Sequence, residues 1–348
     1  MKINIKNIRV KSICATLFIS LFLSCNNGIE ELQKQRDSIL SISNLRQGFL
    51  DIFTSFGDML GGVLGIKADT KKEAIGKYFT DIADTIEKVK EKLSKVEVEY
   101  GKYPNVKTAV DKCIATLDKI VEGAKIAAGG ATGSGTIGNV EQNQDANPAD
   151  VTSVNALVKG IKTIIGIVFK QDEGKSDANV TDKNHNKTVG KLFNDKTNGA
   201  GEAEAAAASA SIGAITGADI LQAIAISKDA ASGNKIETAT NAAEIAAATM
   251  QLADKNIDIV DAQKDAVIAA GIALRAMAKG GKFSAKNDVK YVNAVKGAAS
   301  SAVNKTLSTL IIAIRNTVDS GLKTISEALA AVKQGDVSSE TSESGADK

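Results

Sequence analysis

Phe79-Thr80-Asp81-Ile82-Ala83-Asp84-Thr85-Ile86-Glu87-Lys88-Val89-Lys90-Glu91-Lys92-Leu93-Ser94-Lys95-Val96 decides the fold. Phe79, Ile82, Ile86, Val89, Leu93 and Val96, continued by Tyr100 and Tyr103, recur at alternating steps of three and four, with Lys, Glu and Asp between them. Residues spaced in this way share one side of a helix, so the segment predicts a long helix with a single apolar stripe. Gly101 and Pro104 break the pattern, and Val106, Val110, Cys113, Leu117 and Ile120 resume it. Proline interrupts a helix, so the two stretches are expected to form an antiparallel hairpin with facing stripes. Cys113 lies on the second stripe and reads as a small core residue, since nothing beside it in the sequence would lower a thiol pKa.

A second long helix is expected toward the C-terminus, where Val303, Leu307, Leu310, Ile314, Val318, Leu322, Ile325, Leu329 and Val332 keep the helical period. Continuous from about 288 to 333, it would run roughly 70 Å at 1.5 Å per residue. The chain has only two prolines, Pro104 and Pro148, and no Trp, a composition that favours helix throughout. The fold class is therefore all-α, an elongated helical bundle, with 51–333 as one domain. Residues 334–348 are too polar to pack and are expected to be a disordered tail. Within the domain, 129–288 reads differently, because short Ala-rich helical pieces alternate with polar stretches at 129–150, 171–201, 228–240 and 279–288. Such stretches favour turns, and long loops of this kind form exposed, functional surface.

The first 24 residues read as a signal peptide. Lys2, Lys6, Arg9 and Lys11 give a positive head, and 12–23 is an uncharged apolar run, well short of the roughly 20 residues a membrane span needs. It closes on Leu21-Phe22-Leu23-Ser24-Cys25, similar to a bacterial lipobox, with Phe22 where Leu, Val or Ile is more usual. Cys25 is thus the expected acylation site and first residue of the mature chain, with 25–50 as a lipidated tether and first helix. Each buried methylene of an acyl chain contributes about 0.8 kcal/mol, so several chains anchor a protein durably. The signal carries four of the 43 Lys+Arg and none of the 41 Asp+Glu, leaving 39 against 41. A near-neutral mature chain lacks the basic excess that nucleic-acid binding requires. With Cys14 removed and Cys25 acylated, Cys113 has no partner for an internal disulfide.

Motifs that could carry chemistry are weak. His185 is the one histidine, and in Asp182-Lys183-Asn184-His185-Asn186-Lys187 it reads as solvated surface rather than a zinc ligand or triad member. Gly130-Ala131-Thr132-Gly133-Ser134-Gly135 lacks the Lys-Ser/Thr of a phosphate loop and reads as a flexible loop. Ser232 to Lys235 and Ser320 to Lys323 match Ser-x-x-Lys without the accompanying Ser-Asp-Asn or Lys-Thr-Gly. The acidic stretch 254–265 lacks the central Gly and closing Glu of a calcium loop. No catalytic residue, cofactor or metal is expected, and the chain is not read as an enzyme.

Several longer stretches resemble the variable large proteins of relapsing-fever spirochaetes, relatives of the VlsE antigen of Lyme spirochaetes. They are Cys25-Asn26-Asn27-Gly28, the run from Phe56 to Thr70, Leu117 to Lys125, and Ile272-Ala273-Leu274-Arg275-Ala276-Met277-Ala278-Lys279-Gly280-Gly281-Lys282-Phe283. The last is similar to a constant helical segment of that family, carried by Ile272, Leu274, Arg275, Met277, Lys279, Lys282 and Phe283. For Ile272, Met277 and Phe283, core packing is the preferred reading over a binding role. The resemblance implies long N- and C-terminal helices near an outer membrane, with short helices and loops at the far end on the extracellular face. It also implies an antigen exchanged among variants so that host antibodies lose their target. The alternative is an adhesin for host cells or glycosaminoglycans, using lysines between Lys183 and Lys196 and between Lys279 and Lys290. A third reading is a periplasm-facing structural lipoprotein. A homodimer is left open.

Overall fold

The amphipathic stretch forms helix α1, Lys72–Tyr100, and its continuation forms α2, Pro104–Gly130, with Pro104 in the first turn where its missing N–H costs nothing. The stripes face each other: Phe79, Ile82, Ile86, Val89, Leu93 and Val96 are buried, as are Val106, Val110, Cys113, Leu117 and Ile120. Tyr100 and Tyr103, at the turn, are only half-buried. Ion pairs fix the direction as antiparallel, with Lys107 on Glu97 at 2.8 Å, Lys90 on Asp118 at 2.6 Å and Lys125 on Glu87 at 3.4 Å. Such exposed pairs add little stability; burial of the stripes holds the hairpin.

The computed structural model describes residues 65–339, all within one unit that begins at Ile52. The expected signal peptide, Cys25 and the 25–50 tether lie outside the described residues. The remaining helices are α3 (Val151–Val168), α4 (Lys183–Asn186), α5 (Glu202–Ala214), α6 (Gly217–Ile226), α7 (Ala242–Ala246), α8 (Asp265–Met277) and α9 (Val289–Ser339). Among the described residues no β-strand forms, only isolated bridges such as Asn147 with Lys282 and Ala200 with Ala285. The fold is all-α, as expected.

α9 has 51 residues, about 76 Å at 1.5 Å per residue. It extends to Ser339, so the polar segment from Gln334 starts inside the last helix rather than after it. Tyr78 Oη of α1 donates to Leu307 O at 3.2 Å, and a Cβ on Gly321 would come within 2.6 Å of Cys113 Sγ. α9 therefore runs antiparallel to α2. Cys113 is buried and unpaired, and burial pushes its thiol up to about 11, which fits the inert core reading.

α3 is capped by Asp150, which accepts from Ser153 N at 2.8 Å, and crosses α2 where Gly123 and Gly160 meet back to back. It is long and apolar enough to cross a bilayer, but half of that stretch is buried inside the protein, as befits a core helix of a bundle. α5 and α6 form a corner docked on α9: Lys305 Nζ donates to Ile212 O at 2.8 Å and also to Ile215 O, capping the end of α5. A Cβ on Gly217 would strike Thr309 Oγ1 at 2.0 Å.

Two stretches expected to be loop are more ordered than their composition suggests. Within 171–201, Lys183–Asn186 and the following 3₁₀ turn Lys187–Phe193 are helical. Tertiary contacts hold them: Val189, Leu192 and Phe193 are fully buried, and Asn186 Nδ2 donates to Gln263 O at 3.0 Å. The glycine loop at 130–135, expected to be flexible, caps α1 with its main chain. Gly135 O accepts from Lys72 N at 2.8 Å and Gly133 O from Glu73 N at 3.2 Å. Gly133 has φ +100°, which suits a residue without Cβ.

The loops are joined to one another largely through the main chain. Ala146 N donates to Asn194 O, Ala149 N to Ala246 O, Asp150 N to Lys279 O, Phe283 N to Asn139 O, Ser284 N to Leu192 O and Lys286 N to Ala200 O.

Candidate functional site

The block 129–288 is organised around α8. All thirteen residues of Asp265–Met277 are buried, so this helix has neighbours on every side and no solvent face. Small residues let those neighbours approach: a Cβ on Gly271 would come within 2.5 Å of Ile245 Cγ2. Ile272, Leu274, Met277 and Phe283, in the segment that resembles the family's constant helix, are fully buried.

Arg275, also fully buried, sits in the middle of this apolar environment. Its Nε donates to Lys282 O at 2.9 Å, and Nη1 donates to Ala246 O at 3.0 Å and Ala248 O at 2.9 Å. The guanidinium lies 4.8 Å over the Phe193 ring and 6.0 Å from Phe283, and those two rings pack edge to face. Burial lowers its pKa to about 9, so it stays charged at neutral pH. The positive charge faces carbonyls at the end of α7, where the helix dipole is negative.

Lys72, at the start of α1, reaches the other side of the same node. Its Nζ donates to Arg275 O at 2.9 Å and Ala276 O at 2.5 Å, the last carbonyls of α8. Burial, and then the neighbouring Arg275 charge, lower its pKa to about 7. At the opposite end of α8, Asp265 is fully buried. Its carboxylate accepts from Val180 N at 2.5 Å, Thr181 N at 2.9 Å, Asn186 Nδ2 at 3.0 Å and the Thr181 hydroxyl. Burial raises its pKa, but these hydrogen bonds outweigh burial and the net shift is downward. Anion at the N-terminus and cations at the C-terminus both suit the helix dipole. α8 is thus a peg whose ends grip the 179–186 loop, α7, the 278–283 turn and α1.

This node binds parts of its own chain and aims no reactive group at solvent. Among the described residues, no group of three His, Cys, Asp or Glu is placed to hold a metal. His185 is exposed on the single turn of α4; Ser232 and Ser320 are exposed too, and Lys323 lies 3.9 Å from Glu327. The two lysine-bearing segments lie side by side through Ser284, whose N donates to Leu192 O and whose Oγ donates to Asp195 O, both at 2.9 Å. Their charge is partly neutralised: Lys191 pairs with Glu204 at 3.2 Å and Asp254 at 3.4 Å, and Lys290 with Glu202 at 3.5 Å; Lys282 donates to the uncharged Gln144 at 2.6 Å, and Lys279 is exposed.

The family model described as Borrelia lipoprotein matches residues 49–329. The chain belongs to the Borrelia lipoprotein family. This lipoprotein is 57% identical over 339 residues to variable large protein 17 of Borrelia hermsii, covering 95% of each chain. It is 54% identical to variable large protein 4 of the same organism, over 95% of this chain and 96% of that one. The crystal structure of the Lyme disease variable surface antigen VlsE of Borrelia burgdorferi superposes with a TM-score of 0.72 at 36% identity, covering 83% of this lipoprotein and 97% of VlsE. The lipoprotein is therefore a relative of the variable large proteins and of VlsE and shares the VlsE fold. Its relatives are named for variability and antigenicity rather than for a reaction.

Sequence reasoning passed over Lys72, Asp265, Asn186 and Phe193. Asp265 and Arg275 did leave a signal, as charges flanking and interrupting the apolar run from 266 to 278. Lys72 left none, because its partners lie more than two hundred residues away.

Proposed function

We propose that this lipoprotein is a non-enzymatic surface antigen, held by acyl chains on Cys25 in the outer membrane with its loops facing outward, and exchanged among variants to escape host antibody. The observation that carries this reading is its extended similarity to proteins named as variable, one of them as a surface antigen. The division of labour inside the molecule supports it. A buried helix whose charged ends are hydrogen-bonded to surrounding segments supplies the packing, while the loops around it are joined to one another by main-chain hydrogen bonds and carry exposed side chains between those joints.

The test is protease treatment of intact cells, with opened cells and a periplasmic protein as controls. Digestion on intact cells supports outward display. Survival there, with digestion only after opening, would place the protein inside and overturn the reading.

A further inference from the structure

The turn between α1 and α2 presents an unusual surface. Val98 is 89% exposed, the highest value among the large hydrophobic residues described. Half-buried Tyr100 and Tyr103 flank it, Pro104 is exposed, and Lys102 Nζ stands 5.0 Å over the Tyr103 ring. Glu97 is held by Lys107, leaving Lys95 and Lys102 against Glu99. Exposed aliphatic, tyrosine and lysine together are the mixture found where protein meets lipid headgroups. We propose that this turn is a membrane-contact site, inserting Val98 and its tyrosines among the headgroups and upper acyl chains of the membrane that holds the lipoprotein. The inference rests on acylation at Cys25.

Geometry allows the contact. The pairings of Tyr78 with Leu307 and of Cys113 with Gly321 put the turn level with about residue 330 of α9. The described chain enters beside Asn304, whose Nδ2 donates to Ile66 O at 2.8 Å. From there to the level of the turn is roughly 40 Å along α9. About 40 residues separate Cys25 from Gly65; even at helical rise they span roughly 60 Å. α9 continues about 12 Å beyond that level, so the turn touches lipid with the bundle inclined. A similar triplet stands at the start of α9, Val289 at 55% exposure with Lys290 and Tyr291, but there Glu202 takes Lys290. It serves as the control.

The chain has no Trp, so Val98→Trp and Val289→Trp each give a single reporter. Acylated protein is bound to phosphatidylcholine–phosphatidylglycerol vesicles, with or without brominated acyl chains, and co-flotation is scored separately from fluorescence. The expected result is a blue-shifted, bromine-quenched Val98→Trp and an unchanged Val289→Trp. Protein that floats while Val98→Trp is neither shifted nor quenched overturns the contact and leaves the anchor standing. Protein that does not float removes the anchor and the inference with it.

Discussion

Replacing Gly160 with Ala tests the closest approach in the bundle. A Cβ there would lie 2.5 Å from Ala127 N, 2.5 Å from Gly123 O and 2.7 Å from Ala127 Cβ. None of these atoms is the free end of a side chain, so α2 and α3 must move apart. Overpacking of this kind costs about 1–3 kcal/mol. Separation also uncovers part of Leu157, Ile161, Ile164, Leu117 and Ala124, which are buried here, at about 25 cal/mol per Å². Against this, Gly→Ala inside a helix gains about 1 kcal/mol. The uncovered surface offsets that gain, and the net expectation is a loss of roughly 1–3 kcal/mol. Gly166 lies in the same helix with nothing within 4 Å of its added Cβ, so Gly166→Ala should gain up to about 1 kcal/mol. Urea unfolding followed by far-UV circular dichroism measures both, with the slope checked for constancy. If Gly160→Ala were as stable as the parent, or gained as much as Gly166→Ala, the reasoning about the α2–α3 crossing would be refuted.

Three further outcomes are expected. Arg275→Lys should cost roughly 2–4 kcal/mol, because an ammonium cannot reach three carbonyls and stack on Phe193 at once; a change within about 0.5 kcal/mol by urea unfolding would count against the node. The depressed pKa of Asp265 means the folded state binds its proton less readily than the unfolded one. Its contribution is thus present above the unfolded value near 3.9 and lost as pH falls through the folded value, so Asp265→Asn should flatten the acid limb of stability while lowering stability at neutral pH. For Lys72 the sign reverses: with a folded pKa of about 7 against 10.5, the unfolded chain holds the extra proton, so stability rises between those values by up to about 1.4 kcal/mol per pH unit. Equal slopes for the parent and Lys72→Met across that window would show that Lys72 does not contribute it.

The hairpin and α9 were legible because each meets water along one side, so burial prints a period on the sequence. α8 was legible only in part: surrounded on every face, it shows a run of Ala, Ile and Val without amphipathic rhythm, and its resemblance to a family segment, not its pattern, marked it out. The turn at Lys183–Phe193 was hidden for another reason. Its residues favour loop locally, and tertiary contacts through Asn186, Asp265, Gln263 and the buried Val189, Leu192 and Phe193 impose helical geometry. The glycine loop misled in the same way, since nothing in its own residues reveals that its carbonyls finish α1. Lys72 shows the limit: one lysine among many, distinguished only by what lies opposite it in space.

The main-chain bonds among the loops have a consequence for how sequences of this kind can change. A carbonyl or amide is the same chemical group whichever amino acid carries it, proline's missing donor aside. The bonds from Ala146 to Asn194, from Phe283 to Asn139 and from Lys286 to Ala200 are therefore indifferent to the identity of the residues they join. Such a fastening accepts rewriting of the exposed letters displayed between its joints, provided length, the few glycine conformations and the buried residues at the joints, such as Asn194, Ala200 and Phe283, are kept. The molecule behaves like a typesetter's frame, locked at the edges by α8 and its charges, in which the type can be reset without recutting the frame.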